Sequence, residues 1–225
     1  KKIAEELGIS ESTVRRKLEV LEKKGIVKRD RGEVELCEEA YTGSFEYRTQ
    51  KHASEKRAIA LKALRFVKDG DVVFLDGSTS TFFIGEYLSE FDNLKVVTNG
   101  IDTLSFLAKN GVSVYSTGGQ ANPDNRAVLT GEIALGTVKK VRANVCFFSA
   151  GAIDKNGDIY DSSGTGEVIN EMINRSDLAV FLCDSTKMLV GTGIKICSLF
   201  DIDYAVTEKD VRDFFVPELR KKIIF

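Results

Sequence analysis

Five short polar segments of the chain have the residue types of a small-molecule binding site. Each is rich in serine, threonine, glycine or aspartate, and each follows an apolar run that is typical of a buried strand. The segments are Asp76–Thr81, Thr98–Gly100, Ser116–Gly119, Ser149–Asp154 and Cys183–Lys187. If these strands are parallel, all five segments lie at one edge of the sheet, where open α/β folds bind ligands. We therefore expect one binding site at that edge.

The segment Asp76–Thr81 has the residue types of a phosphate-binding loop at the start of a helix. Gly77 permits a sharp turn. The hydroxyl and main-chain N–H groups that could bind a phosphate belong to Ser78, Thr79, Ser80 and Thr81. A capped helix start without a ligand explains the same residues equally well. The segment lacks the signatures of P-loops and dinucleotide sites, which disfavours nucleoside triphosphates and NAD.

Other side chains at the strand ends could bind the rest of a phosphorylated sugar. Asp76 could accept a hydrogen bond from a sugar hydroxyl, and Asn99 could both donate and accept one. Lys187 could neutralise a phosphate or hold a carboxylate. A local ion pair or a helix cap is an equally good explanation for Asp184 and Lys187. None of these residues requires a cofactor.

The remaining titratable residues give weaker indications of chemistry. Glu167 and Glu171 lie in a predicted helix, Glu167–Arg175, where first-turn acids are usually electrostatic caps. His52 is the only histidine, and its place between two domains predicts a surface or linker residue. The cysteines are far apart, which predicts buried reduced thiols and no metal site; they are Cys37, Cys146, Cys183 and Cys197.

Two helices and a two-stranded wing are predicted at the start of the chain. The spacing of Ile3 and Leu7 predicts a first helix, which Gly8 ends. Ser10 is the expected N-cap of a second helix, which runs to about Lys24 and ends before Gly25. Two short strands then follow around a turn at Arg31–Gly32.

The second helix has an apolar stripe and, on another face, a polar and cationic surface. Val14, Leu18 and Leu21 form the stripe that must face a small core. A helix of this kind fits the major groove of DNA. The side chains expected to reach bases or phosphates are Ser12, Thr13, Arg15, Arg16, Lys17, Lys28, Arg29 and Arg31. A helical hairpin with ordinary surface charges is the alternative.

The rest of the chain predicts an α/β domain with a mainly parallel, Rossmann-like sheet. From Lys56 onward, short apolar runs alternate with helical patterns. The predicted strands are Val72–Leu75, Leu94–Thr98, Val112–Ser116, Val145–Ser149 and Leu178–Cys183. We expect a DNA-binding domain at 1–36, a connector at 37–51 and a ligand-binding domain at 52–225.

Composition excludes several classes of protein. The chain has 225 residues, of which 43% are hydrophobic and 29% charged, as in a globular protein. The formal net charge is −2, but residues 1–36 carry +2 and the remainder −4, which assigns any polyanion contact to the first part. No apolar run approaches the roughly 20 residues that span a bilayer, and no secretion signal is recognisable. A cytoplasmic location is expected.

These motifs together resemble one protein family. IAEELGISESTVRRKLEVLEKKGIVKR, with its Ser10–Arg16 core, is similar to the winged helix-turn-helix of the DeoR family of bacterial transcriptional regulators. DGSTST, VVTNG, TGG, AVLTGE, GAID-x-NGD and DSTK occur in the order and spacing of the DeoR-type sensor domain, itself similar to ribose-5-phosphate isomerase. The resemblance covers nearly the whole chain, and it implies that a first helix of the winged module precedes Lys1.

The resemblance implies a regulator, by the family's habit a repressor, that senses a phosphorylated sugar or a related metabolite. The positions that match the family's effector site are Lys56, Asp76, Gly77, Thr79, Asn99, Gly118, Gly119, Gly151 and Lys187. Glu167 is a further candidate, although the stretch before it departs from the family pattern. Other departures are Lys17, the wing tip Asp30–Glu33, and Gly77 and Gly100, where the family often has serine.

An isomerase is the alternative that the resemblance leaves open. Moving a proton between adjacent carbons needs a cation and a carboxylate base, and Glu171 could be that base. The isomerase pattern has a lysine where this chain has Ser162 and Ser163, although Lys187 could substitute. We therefore expect a binding site and no enzyme. A protein-interaction module would leave the five converging segments unexplained.

Effector binding is expected to change the placement of the DNA-binding domains through the connector. A single winged helix contacts few bases, so we expect a homodimer or homotetramer on double-stranded operator DNA. The tail Phe200–Phe225 is a candidate association surface, although its Phe214 and Phe215 could be core residues instead.

Overall fold

The structure is a computed structural model, which describes residues 2–23, 27–30, 33–36, 45–123, 125–161, 164–188 and 193–225. The chain divides into two compact units, residues 1–50 and residues 51–225. We call them the N-terminal unit and the C-terminal unit. The first part of the expected connector, 37–44, lies outside the described residues.

The N-terminal unit contains the predicted pair of helices. The helices α1 (Lys2–Leu7) and α2 (Glu11–Lys23) are joined at Gly8, whose φ of 63° is readily adopted by glycine. The Ser10 hydroxyl accepts a hydrogen bond from the Thr13 N–H at 3.2 Å, as expected of an N-cap. The helix-turn-helix prediction is therefore confirmed, with Ser10 as the cap of the second helix.

The wing strands are present as well. The strands β1 (Val27–Asp30) and β2 (Glu33–Leu36) pair antiparallel. A third helix, α3 (Phe45–Gln50), ends the unit, so the second part of the expected connector is helical. The predicted helix stop at Gly25 and the turn at Arg31–Gly32 lie outside the described residues.

The C-terminal unit alternates strands and helices, as predicted. In chain order they are α4 (Ala53–Ala63), β3 (Val72–Leu75), α5 (Thr79–Gly85), β4 (Lys95–Thr98), α6 (Ile101–Lys109), β5 (Ser113–Ser116), β6 (Gln120–Ala121), β7 (Leu129–Thr130), α7 (Glu132–Val138), β8 (Ala143–Phe148), β9 (Ala152–Ile153), β10 (Asp158–Asp161), α8 (Gly166–Asn174), β11 (Ser176–Leu182), β12 (Ile194–Ser198), β13 (Tyr204–Val206) and β14 (Ile223–Ile224).

Seven of these strands form one parallel sheet, in the order β14-β13-β11-β8-β3-β4-β5. The five predicted strands are β3, β4, β5, β8 and β11, and their bounds differ from the prediction by no more than two residues. The strands β13 and β14 were not predicted. The short strands outside this sheet form a hairpin, β6 with β7, and a three-stranded sheet in the order β12-β10-β9.

Hydrophobic clusters cover both faces of the parallel sheet because side chains alternate along each strand. In β3, Phe74 packs in the cluster that includes α7 and α8, whereas Val73 and Leu75 pack in the cluster that includes α4, α5 and α6. In the tail, Phe215 is a core residue and Phe214 packs against the same cluster. These two residues are therefore excluded from the candidate association surface.

The three described cysteines, Cys146, Cys183 and Cys197, are buried free thiols, as predicted, and Cys37 lies outside the described residues. Burial raises the pKa of Cys183 to about 12, so this thiol is not a nucleophile at neutral pH. Within the described ranges, no group of His, Cys, Asp and Glu side chains could hold a metal ion. No described helix has the length and apolar character of a bilayer span.

Candidate functional site

The strand order creates a crevice between β3 and β8. From β3 the chain continues to β4 and β5 on one side, and after β5 it returns to β8 on the other side of β3. Open α/β sheets bind ligands outside the carboxyl ends of their strands at such a change of direction. We call this crevice the strand-end site and define it by Asp76–Thr81, Ser149 and Lys187.

Asp76 joins the two loops that border the strand-end site. Its Oδ1 accepts hydrogen bonds from the Ser78 N–H (3.0 Å) and the Thr81 hydroxyl (2.9 Å), and its Oδ2 accepts one from the Ser149 N–H (3.1 Å). Burial raises the pKa of Asp76, and hydrogen bonds from Ser78, Ser149 and Thr81 oppose that shift. Both carboxylate oxygens accept hydrogen bonds from protein donors, so Asp76 ties the two loops together, and its contact with a sugar hydroxyl stays a prediction.

The hydroxyls of the Asp76–Thr81 loop divide into two groups. Ser78 caps α5, since its Oγ accepts a hydrogen bond from the Thr81 N–H at 3.3 Å, and the Thr81 hydroxyl bonds within the loop. The predicted alternative of a capped helix start therefore holds for these two residues. Thr79 and Ser80 are also buried, and the Ser80 Oγ has no hydrogen-bond partner among the described residues.

Lys187 lies at the strand-end site and is held by Ser149. Its Nζ donates a hydrogen bond to the Ser149 Oγ at 2.6 Å, and that hydroxyl donates to the Leu182 carbonyl at 2.7 Å. Ser149 is absent from the predicted site residues, although its place directly after β8 matches that of Asp76 after β3. This equivalence of position was the signal in the sequence that could have identified it.

The first helix of the C-terminal unit also contributes to this edge. Burial opposes ionisation of Asp184, but Lys187 and the Thr186 hydroxyl hold the pKa of Asp184 below its usual value, with further contributions from His52 and Lys56. On α4, the Lys62 Nζ donates to the Glu208 carbonyl, and the Glu208 carboxylate accepts from the Ser185 N–H, so α4 lies close to the loop after β11. The Lys56 side chain is buried, and its Nζ donates to the Lys51 carbonyl at 2.7 Å.

His52 was predicted as a surface or linker residue, and its structural position is more specific. It precedes α4 with a φ of 54°, in the left-handed region, and its side chain is half-buried, with Nδ1 3.7 Å from the Glu55 carboxylate.

Two of the predicted site residues, Gly118 and Gly119, lie far from Lys187. Gly118 and Gly119 follow β5, which lies four strand positions from β11, or about 19 Å along the sheet. Gly151 is exposed beside the Tyr160 carbonyl, and Glu167 is exposed at the start of α8. Asn99 is buried after β4, where its backbone carbonyl accepts a hydrogen bond from the Leu129 N–H at 2.7 Å.

Glu171, the base of the isomerase alternative, is engaged elsewhere. Its Oε1 accepts a hydrogen bond from the Arg175 Nε at 2.9 Å, on the same helix. Arg175 follows the last residue of α8 and precedes β11, so this pair lies toward the amino ends of the strands. The structure therefore does not bring Glu171 together with Lys187.

The candidate DNA-binding residues of α2 form an exposed surface. Ser12, Arg15, Arg16 and Lys17 are exposed, whereas Thr13 is half-buried and its hydroxyl bonds to that of Ser10 at 2.8 Å. Thr13 thus takes part in the helix cap.

Arg29, for which a contact to the DNA backbone stays a prediction, is paired with Glu22 in the structure. Its Nε donates to the Glu22 carboxylate at 2.8 Å, a hydrogen bond that lowers the pKa of Glu22 and ties β1 to α2. Arg29 therefore positions the wing. The side chain of Lys28 and all of Arg31 lie outside what the structure describes.

A helix-turn-helix with a wing, followed by an α/β unit with a strand-end site, defines a class of two-domain transcriptional regulators. The model described as DeoR-like helix-turn-helix domain matches residues 1–40, and that described as DeoR C terminal sensor domain matches residues 51–209. The sensor model alone covers more than half of the chain. The chain therefore belongs to the DeoR family of transcriptional regulators.

Curated relatives are similar over most of their length. The regulator GolR of Listeria innocua is 32% identical over 91% of this chain and 82% of its own. The L-fucose operon activator of Haemophilus influenzae is 30% identical over 94% of this chain and 85% of its own. The lactose phosphotransferase system repressor of Staphylococcus epidermidis is 26% identical over 92% of this chain and 84% of its own. Because these relatives are named as regulators, the isomerase alternative is rejected.

Solved structures of low sequence identity resemble this chain. Ribose 5-phosphate isomerase from Plasmodium falciparum has a TM-score of 0.45 at 16% identity, over 61% of this chain and 53% of that one. The eIF2B delta subunit of Chaetomium thermophilum has a TM-score of 0.53 at 18% identity, over 73% of this chain and 60% of that one. The likeness to the eIF2B subunit concerns the fold alone.

Proposed function

We propose that this regulator represses genes of sugar metabolism and that a phosphorylated sugar, bound at the strand-end site, controls its affinity for operator DNA. The observation that carries the proposal is Lys187, an ammonium group whose Nζ is hydrogen-bonded to the Ser149 hydroxyl, directly after β8. Lys56 on α4 would add a second positive charge. The names of the relatives, which include a lactose and an L-fucose regulator, support a sugar ligand.

The DNA-binding surface is proposed to be the exposed face of α2 with the wing beside it. Ser12, Arg15, Arg16 and Lys17 would contact bases and phosphates, and Lys28 and Arg31 would reach the flanking backbone. A single unit of this size reads few bases, so a homodimer or homotetramer would bind repeated half-sites. Binding to chromosomal operators would place the protein in the cytoplasm.

Hydrogen bonds through α4 support a route from the strand-end site toward the connector. Lys62 on α4 donates from Nζ to the carbonyls of Thr207 (3.0 Å) and Glu208 (2.8 Å). The Glu208 carboxylate accepts a hydrogen bond from the Ser185 N–H at 3.0 Å, two residues before Lys187. A ligand that moves this loop would therefore move α4. A coupling of about 1–3 kcal/mol would change operator affinity roughly 5- to 150-fold.

The test is thermal unfolding with sugars that differ only in the phosphate. Ribose 5-phosphate or fructose 6-phosphate, at a hundredfold excess over Kd, should raise the Tm by about 5–10 °C, whereas ribose and fructose should not. Lys187→Met removes the charge at similar length and should abolish the shift. Lys140→Met, at an exposed position, is the matched control and should retain it. Equal stabilisation by unphosphorylated sugars, or a shift that survives Lys187→Met, would refute a phosphate site at Lys187.

A further inference from the structure

Two glycines bring the loops after β3 and β4 into backbone contact. A Cβ atom built on Gly100 would lie 2.7 Å from the Gly77 Cα, and one built on Gly77 would lie 3.0 Å from the Gly100 Cα. Real Cβ atoms do not approach other atoms as closely as 2.7 Å. Neither glycine has a positive φ, so the close approach is what requires glycine at these positions.

The segment before β7 holds this contact closed. Val128 bridges to Gly100, and a Cβ on Gly77 would lie 2.3 Å from the Val128 Cγ1. On either side of Val128, the Leu129 N–H donates to the Asn99 carbonyl (2.7 Å), and the Ile101 N–H donates to the Ala127 carbonyl (2.8 Å). The hairpin β6–β7 is thereby docked onto the loop after β4.

Three buried polar atoms lie in the residues that flank the glycine contact. The Ser80 Oγ, the Asn99 Oδ1 and the Thr103 Oγ1 have no hydrogen-bond partner among the described residues. Thr103 is at the contact itself, since its Oγ1 lies 3.1 Å from a Cβ built on Gly100. Buried polar groups are normally paired, and unpaired ones are costly. The loops after β3 and β4 pack closely although these three polar atoms have no partner among the described residues. This arrangement points to a functional role for the contact.

We propose that Gly77 and Gly100 are positioning residues of the effector site. Their contact closes the space between the loops after β3 and β4, and so holds the Asp76–Thr81 loop over the crevice toward β8, where Ser149 and Lys187 lie. The ligand is thereby confined to that crevice. This inference rests on the proposed function, because it assigns the contact a role in effector binding.

The first experiment adds one methyl group at the contact. In Gly100→Ala the new Cβ meets the Gly77 backbone, which cannot rotate away, so the two loops must separate. We expect binding of ribose 5-phosphate or fructose 6-phosphate, whichever stabilises the unsubstituted protein, to weaken at least tenfold. Amide hydrogen exchange of Leu129 and Ile101 should become faster without any ligand. Gly136→Ala is the matched control, because a Cβ there has no neighbour within 4 Å.

A rescue experiment separates positioning from general destabilisation. In Gly77→Ala the shortest contact is with the Val128 Cγ1, a side-chain atom that Val128→Ala removes. We expect Val128→Ala to restore part of the binding that Gly77→Ala loses, because the contact of 3.0 Å with the Gly100 Cα remains. Gly100→Ala/Val128→Ala should bind the ligand no better than Gly100→Ala, because the new Cβ there meets the Gly77 backbone. If the substitutions act only by general destabilisation, the binding losses of the two single substitutions should add in both double variants.

The possible results distinguish this inference from the function on which it rests. If no sugar phosphate binds the unsubstituted protein, the proposed function fails, and the effector role of the glycines fails with it, even if amide exchange confirms the contact. If the unsubstituted protein and Gly100→Ala bind equally, or if Val128→Ala restores no more binding to Gly77→Ala than to Gly100→Ala, the glycine proposal alone is overturned.

Discussion

The proposed DNA-binding surface of α2 and the strand-end site are built in opposite ways. The α2 surface takes its cationic side chains from one run of sequence, 12–17, and its arginines are exposed. The strand-end site draws on residues from Asp76 to Lys187, which are largely buried and linked by hydrogen bonds. A substitution on α2 should therefore affect binding with little change in stability. A substitution at the strand-end site should affect both.

The largest effect on stability is expected at Asp76. Asp76→Ala leaves the buried N–H groups of Ser78 and Ser149 without their acceptor, so we expect the free energy of unfolding to fall by roughly 2–5 kcal/mol. Asp76→Asn keeps the shape and one acceptor oxygen and should cost about half as much. Urea denaturation of both variants measures the difference. An Asp76→Ala variant as stable as the unsubstituted protein would show that this carboxylate does not join the loops.

On α2, the expected effect is on DNA affinity. Arg15→Ala with Arg16→Ala should weaken operator binding about 10- to 100-fold and reduce the slope of log K against log salt by about 1–2. Stability should stay within about 0.5 kcal/mol, because both side chains are exposed. The double variant Lys139→Ala/Lys140→Ala removes the same charge from the C-terminal unit and is the control. Equal losses in the two double variants would mean that net charge, and not the α2 surface, determines affinity.

A smaller, pH-dependent effect is expected at Asp184. In the folded protein the pKa of Asp184 lies below the ordinary aspartate value of 3.8. The ionised carboxylate therefore stabilises the fold above pH 3.8, and this contribution is lost as the pH falls through the folded pKa. Asp184→Asn should lower the free energy of unfolding by about 1 kcal/mol at pH 7, and the difference should shrink below pH 4. A cost that is the same at pH 7 and pH 3 would contradict the lowered pKa.

Local patterns in the sequence predicted most strands of the fold, but only some of the residues of the strand-end site. Val72–Leu75 is a strand with the predicted bounds, because short apolar runs between turn residues have few alternatives in an α/β chain. Ser149 was missed because its importance comes from two partners far away in the sequence, Asp76 and Lys187. The departures from the family pattern at Gly77 and Gly100 looked unrelated along the chain. In the structure they face each other.

The sequence by itself determined the parallel sheet, the helix-turn-helix with its Ser10 cap, and the family, since each depends on patterns within a few turns or strands. Only the tertiary structure decided which polar residues meet. In the structure, hydrogen bonds join Asp76 to the Ser149 N–H, Arg29 to Glu22, and Lys187 to the Ser149 hydroxyl. The physical reason is that a side chain's partner depends on the order of the strands in the sheet, and residue types along the chain do not specify that order.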